Sequence, residues 1–303
     1  MIYTVTLNPA LDYVMGLDAL TPGALHRAWW EELQPGGKGL NVSILLSRLG
    51  VETTALGFLA GDTGELLRRR VEGEGVKTDF VSLPAGMTRI NVKLLGENEE
   101  TEVNGAGPAV PAEALEELLD KLGELTGEDT LVLSGSVPPT LPRDIYGRML
   151  DRVALRGVRC VVDTSGEALC RALSRRPFLI KPNCGELSEL TGEHFSPEDT
   201  PAILSSAKAL QARGARNVLV SLGARGALLL TEEGDIFTQP PALGEAQNSV
   251  GAGDSMVAGL LAGLKEGDWI YALRLGAAAG GATAFSRSLA TGEEVRALCR
   301  TLS

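Results

Sequence analysis

Thr130-Leu-Val-Leu-Ser134 decides the fold class. A short apolar run with no polar alternation is a strand buried on both faces, provided that what flanks it is helical. It is: Leu115, Leu118, Leu119, Leu122 and Leu125 recur at helical spacing before it, and Ile145, Met149, Leu150 and Val153 do so after it. The alternation continues with strands at 158–162 and 178–180, a helical stripe of Ile203, Leu204, Ala207 and Leu210, and a strand at 217–221. Strands alternating with helices build βαβ units, hence a mostly parallel sheet with right-handed crossovers.

Further along the chain, 227–231 and 235–238 flank a Glu-Glu-Gly turn and read as a β-hairpin. A helical region rich in small residues follows, from about 252 to 286. Toward the N-terminus, 2–7 reads as a strand, and Val42, Leu45, Leu46 and Leu49 form a helical stripe ending at Gly50. Residues 12–34 show no helical period, whereas 88–95 alternate polar and apolar and 99–104 continue in the same fashion. Alternation predicts a sheet with one wet face. The expectation is one domain over 1–303, carrying a small β layer built from two excursions at about 9–34 and 86–107. No internal repeat or Pro/Ser-rich linker divides the chain.

Of the 303 residues 44% are hydrophobic and 22% charged, which fits a soluble globular chain and not a disordered one. A net charge of −11 and 4% aromatic residues leave neither an overall basic field nor a stacking platform for nucleic acid. The four cysteines (Cys160, Cys170, Cys184, Cys299) form no CxxC pair, and only His26 and His194 could join them, so a zinc site is not expected. Isolated cysteines, an N-terminus that enters a strand directly, and no long uncharged apolar run lead to the expectation of a cytoplasmic protein without signal peptide or membrane span.

The strongest chemical signal is Asn248-Ser-Val-Gly-Ala-Gly-Asp-Ser255, running into a helix. Glycines at a helix start leave backbone N–H groups free to meet an anion and let the backbone approach it closely. Asp254 falls in the first turn, where the helix dipole favours its anion. An anion hole beside a carboxylate suits phosphoryl transfer, the N–H groups holding the transferred charge and the carboxylate taking the acceptor's proton. Taken locally, a glycine turn with an ordinary capping Asp gives the same pattern. Pro35-Gly-Gly-Lys-Gly-Leu-Asn41 precedes the first long helix, as a turn with Asn41 near the N-cap or as backbone against a polar ligand with Lys38 and Asn41 as contacts. Gly39 stands where a P-loop needs a hydroxyl, and no GxGxxG occurs, which weakens the P-loop and dinucleotide readings.

Five segments occur in one order: Asn8-Pro-Ala-Leu-Asp12, the Gly36-Gly-Lys-Gly-Leu-Asn41 run, Leu133-Ser-Gly-Ser-Val-Pro-Pro139, Lys181-Pro-Asn-Cys-Gly-Glu186 and Val250-Gly-Ala-Gly-Asp254. In this the chain resembles the PfkB (ribokinase-like) carbohydrate kinases over nearly its whole length. Thr88-Arg-Ile-Asn-Val-Lys93, residues 100–108 and residues 162–169 are similar to the 1-phosphofructokinase and tagatose-6-phosphate kinase branch.

The resemblance implies a ribokinase-like three-layer αβα body with a small β-sheet lid. It implies an ATP- and Mg²⁺-dependent kinase of a ketohexose phosphate, foremost fructose-1-phosphate, with tagatose-6-phosphate or fructose-6-phosphate as rivals. Asp254 matches the catalytic base, with Gly251, Ala252 and Gly253 as the anion hole. Asp12, Gly37 and Asn41 match sugar-binding positions, and Ser136 could add a hydroxyl. Asn183 and Glu186 match the pair that organises Mg²⁺ through water, although alone they also spell a capping box. Lys181 faces the same phosphates. Ser221, Gly223 and Gly226 match the nucleotide loop.

A second phosphate needs cations, and Lys38, Arg89, Arg27 and Lys93 are the candidates, in or beside the lid. Arg68-Arg-Arg70 reads as a solvated helix face. A homodimer through the lid sheet is expected, because a small half-apolar sheet needs a partner. The reading from another class, a non-catalytic sugar-phosphate sensor, has no use for a base at position 254.

Overall fold

The computed structural model describes residues 1–96, 99–193, 195–247 and 250–302. His194, Asn248 and Ser249, named above, lie outside the described residues. In chain order the elements begin β1 (Ile2–Thr6), β2 (Ala10–Gly16), β3 (Trp30–Gly36), α1 (Lys38–Arg48), β4 (Thr53–Ala60), α2 (Gly61–Gly73), β5 (Lys77–Thr78), β6 (Val81–Leu83), β7 (Arg89–Leu95) and β8 (Glu100–Asn104). Then come α3 (Ala112–Leu122), β9 (Thr130–Ser134), α4 (Ile145–Val153), β10 (Arg159–Asp163), α5 (Gly166–Leu173), β11 (Leu179–Ile180), α6 (Cys184–Thr191), α7 (Thr200–Ala212) and β12 (Asn217–Ser221). The chain closes with β13 (Ala227–Leu230), β14 (Ile236–Gln239), α8 (Ala252–Glu266), α9 (Trp269–Ala284) and α10 (Gly292–Thr301).

The large sheet runs β14-β13-β12-β11-β10-β9-β1-β4-β5, with β6 also paired to β4. All pairs from β5 to β12 are parallel, and only the β12-β13-β14 edge is antiparallel. The run at 130–134 sits between β1 and β10, and its inner residues are buried. Leu131 and Leu133 join the core with Leu118 of α3, Tyr146 of α4 and Ile203 of α7. Val132, pointing the other way, joins Leu45 of α1, Val257 of α8 and Leu275 of α9. Helices therefore cover both faces, which is the three-layer αβα architecture, and the apolar run is explained by burial on both sides.

The small sheet has the order β3-β2-β7-β8. Its register places Leu11 beside Ile90, and Tyr13 beside Val92 and Leu33, on one face. Asp12, beside Asn91 and Gln34, falls on the other. The alternation read from 88–95 and 99–104 gives two faces, but Ile90 and Val103 are exposed on the apolar one, whereas Asn91 and Lys93 on the polar one are buried.

Two expectations change. The helical region at 252–286 is two helices, broken at Gly267 and Asp268, where Asp268 caps α9 by accepting from the Tyr271 N–H. Its small residues serve close packing: a Cβ on Gly259 would lie 2.6 Å from the Leu275 carbonyl oxygen. Asn41 lies inside α1, whose N-cap is Gly37 at φ 127°. A Cβ on Gly37 would also press on Thr6 of β1, which fixes glycine there on two counts. No helix of the described residues is long and apolar enough to cross a membrane.

Candidate active site

A cavity of about 520 Å³ opens at the carboxyl ends of β1, β9 and β11 and the start of α8, where parallel α/β sheets bind ligands. It brings together Asp12, Gly37, Lys38, Asn41, Arg89, Ser136, Lys181, Asn183, Glu186, Ser221, Gly251, Gly253 and Asp254, residues spread over most of the chain.

Asp254 is buried in the first turn of α8, and one carboxylate oxygen accepts from Asn41 Nδ2 at 2.8 Å. Burial, then the charge of Asp163, raises its pKa to about 6; Asn41, Lys38 and Lys181 pull the other way. The upward shift comes from burial and a second carboxylate, and it leaves the group ionised at neutral pH, as the helix start also favours. The N-cap of α8 is Gly251, at φ 77° and with no side chain to satisfy the leading N–H groups. A Cβ on Gly253 would come within 3.1 Å of Lys181 Nζ, so bare backbone and ammonium face each other.

Asp163 is the residue that sequence reasoning missed. It ends β10, beside Ser134 of β9, is fully buried, and neither carboxylate oxygen takes a hydrogen bond from the described residues. Its charge is met by Lys181 Nζ at 3.3 Å and Lys38 Nζ at 3.6 Å. Lys38 also lies 3.9 Å from Glu186. Burial draws the Lys38 pKa down, but Asp163, Asp254 and Glu186 outweigh it, and the net shift is upward. Lys38 thus stands among Asp163, Asp254 and Glu186, because residue 38 opens α1 and points across the ends of the large sheet, and it lines the same cavity as Arg89.

Asn183 and Glu186 form the capping box that their spacing also allowed. Asn183 Oδ1 accepts from the Glu186 N–H at 2.8 Å, and Glu186 Oε2 from the Asn183 N–H at 2.9 Å. The other Glu186 oxygen, Oε1, is the one facing Lys38. Among the described residues no group of three or more His, Cys, Asp or Glu side chains is placed to hold a metal ion. A cation here would draw most of its ligands from water and phosphate, and one acidic side chain fits that requirement. Ser221 bridges to Asn183 and lines the cavity, whereas Gly223, Gly226 and Ala252 are not among its lining residues. Gly226, at φ 91°, has room for no Cβ against the Gln239 carbonyl, so its glycine is required by the hairpin.

At the other end, Asp12 accepts from Asn91 Nδ2 at 2.8 Å and pairs with Lys93 Nζ at 3.1 Å. Lys93, shared with Glu102 at 3.5 Å, is already neutralised. Arg89 is half-buried; it donates to the Asn8 carbonyl at 3.0 Å and the Gly105 carbonyl at 3.4 Å, and no carboxylate of the described residues pairs with it. Burial lowers its pKa, while Asp12 opposes the shift. Arg27 is exposed in the β2–β3 connection and lines neither this cavity nor the neighbouring one of about 640 Å³, which shares Asp12 and Asn41. Arg68, Arg69 and Arg70 are exposed on α2, as read from the sequence. All four cysteines are free.

The sequence profile of the pfkB family carbohydrate kinases matches residues 5–296. The 1-phosphofructokinase of Bacillus subtilis (strain 168) is 44% identical over 98% of this chain and 97% of its own. The D-tagatose-1-phosphate kinase of Bacillus licheniformis is 36% identical, over 95% and 94% of the two chains. Among solved structures, phosphofructokinase-2 of Escherichia coli in complex with fructose-6-phosphate superposes with a TM-score of 0.91 at 30% identity, covering 99% of this chain and 98% of that one.

Proposed function

Because the chain belongs to the pfkB family of carbohydrate kinases, which phosphorylate sugars with ATP, we propose that it converts fructose-1-phosphate to fructose-1,6-bisphosphate. The observation that carries the chemistry is Asp254, buried beside Asn41 at a glycine-capped helix start and facing a cleft with two lysines. The preference for the 1-phosphate is supported by the full-length similarity to a 1-phosphofructokinase. The D-tagatose-1-phosphate kinase relative keeps the epimeric sugar as the second reading.

In the proposed mechanism Asp12 accepts hydrogen bonds from sugar hydroxyls, and Ser136 adds a donor. Asp254 takes the proton of the free primary hydroxyl as that oxygen attacks the γ-phosphorus in line. Asn41 orients the carboxylate. The N–H groups of Gly251, Ala252 and Gly253 meet the charge on the transferred group, and Lys38 and Lys181 meet it from the sheet side. Asn183 and Glu186 would hold Mg²⁺ through water, and Mg²⁺ when bound neutralises charge on the phosphates. Ser221, Gly223 and Gly226 lie along the path of the nucleotide. The small sheet acts as a lid, and its exposed apolar face, with Ile90 and Val103, pairs with a second copy. Free cysteines and a phosphorylated substrate suit the cytoplasm.

Arg89 is the cation proposed for the substrate phosphate, since a half-buried guanidinium without a carboxylate partner awaits an anion. Arg89→Ala should cost about 2–5 kcal/mol in kcat/KM for fructose-1-phosphate, the range for removing one side of a desolvated charge pair. Turnover of free fructose, which never uses that contact, should change little. Equal losses with both sugars would make the arginine structural.

A further inference from the structure

The small sheet does more than present Asp12: it grips the carboxylate through two side chains and leaves room for it on a third side. On β7, Asn91 Nδ2 donates to Oδ1 at 2.8 Å and Lys93 Nζ lies 3.1 Å from Oδ2. Across β2, on β3, Gly36 leaves the room; a Cβ there would collide with both carboxylate oxygens. Each gripping group is itself held. Asn91 Oδ1 accepts from the Gly105 N–H at 3.2 Å, and Lys93 pairs with Glu102 at 3.5 Å. Asn91 and Lys93 are both buried, although each has a polar end that water would otherwise solvate.

Because the two oxygens have different partners, rotation about Cβ–Cγ breaks one contact or both. Two of the four acceptor directions of the carboxylate are thereby used, and the two that remain have fixed aim. Epimeric ketohexose phosphates, such as those of fructose and tagatose, differ in the direction of a single hydroxyl. An acceptor of fixed aim meets one epimer and misses the other, whereas a freely turning carboxylate follows both.

We propose that Asn91, Lys93 and the bare backbone of Gly36 form a seat for Asp12 that sets the discrimination between epimeric ketohexose phosphates. Asn91 and Lys93 are positioning residues, acting through Asp12. The inference rests on the reading of Asp12 as the acceptor of sugar hydroxyls.

The test is initial-rate kinetics with ATP and either fructose-1-phosphate or tagatose-1-phosphate. Lys93→Met should lower the ratio of the two kcat/KM values about tenfold, the scale of one hydrogen bond to a charged group. The change should lie in the sugar KM, with KM for ATP unaltered, and Lys93→Arg should restore most of the ratio. Glu102→Gln, at the half-exposed end of the chain of contacts, should move the ratio the same way by less, and serves if Lys93→Met does not fold. A ratio unchanged in Lys93→Met or in Glu102→Gln, with both sugars falling together, overturns the seat while Asp12→Asn still abolishes turnover. An Asp12→Asn protein with wild-type kinetics overturns the reading of Asp12, and the seat with it.

Discussion

The carboxylate at position 254, proposed as the base, is buried and feels the charge of a second one, Asp163. Its pKa, raised to about 6 by burial and by Asp163, sets the sign of the pH dependence. Protonation removes the base, so kcat/KM should be level above about pH 7 and fall as pH drops through about 6. Asn41→Leu removes the donor that holds the anion, and the acid limb should move to higher pH; an unmoved limb would separate Asn41 from the base. Asp254→Asn should lower kcat by about 10²–10⁴ while calorimetry still finds sugar phosphate bound. The place of Asp254 in the first turn of a glycine-led helix was legible from Gly251-Ala-Gly253. Asp163 was not, since a polar residue closing an apolar strand has the pattern of any strand end. Nor was the side on which Lys38 falls, which depends on how α1 meets the ends of β9 and β10 and not on its neighbours in sequence.

At the scale of elements, α6 carries both a structural and a chemical reading of the same two residues. Glu186→Gln keeps a carbonyl oxygen for the Asn183 N–H but removes the charge facing Lys38. It should raise the Mg²⁺ concentration needed for half activity. An unchanged Mg²⁺ titration would leave Glu186 with capping alone. The α8–α9 pair makes the opposite point. Its small residues mark a helical region, but periodicity does not register the break of two residues at Gly267 and Asp268. Gly259→Val would force a branched side chain against the Leu275 carbonyl and should cost about 1–3 kcal/mol, read as a lower denaturant midpoint. The alternating strands and helices from 113 onward were legible because each stripe is buried on a constant face. The strand β4 went unread: its glycine and threonines dilute the apolar run, and only its place between β1 and β5 buries it.

For the whole molecule, two sheets divide the labour. In the proposed function the large sheet and α8 hold the transfer end with Lys38, Lys181 and Asp254, and the small sheet holds the sugar end with Asp12 and Arg89. If the small sheet pairs between copies, Val103→Asp should sediment as a monomer where the wild type sediments as a dimer. Sedimentation unchanged by that charge would place any interface elsewhere. The two-sheet plan was visible in the change from non-alternating to alternating strands, but the spacing between the two ends of the cleft was not. The most direct measurement is therefore the initial rate of ATP consumption with fructose-1-phosphate, fructose-6-phosphate and tagatose-6-phosphate in parallel. Fructose-1-phosphate should give the highest kcat/KM, with fructose-1,6-bisphosphate as product. Preferred turnover of either 6-phosphate, or no turnover of fructose-1-phosphate by folded protein, would contradict the account.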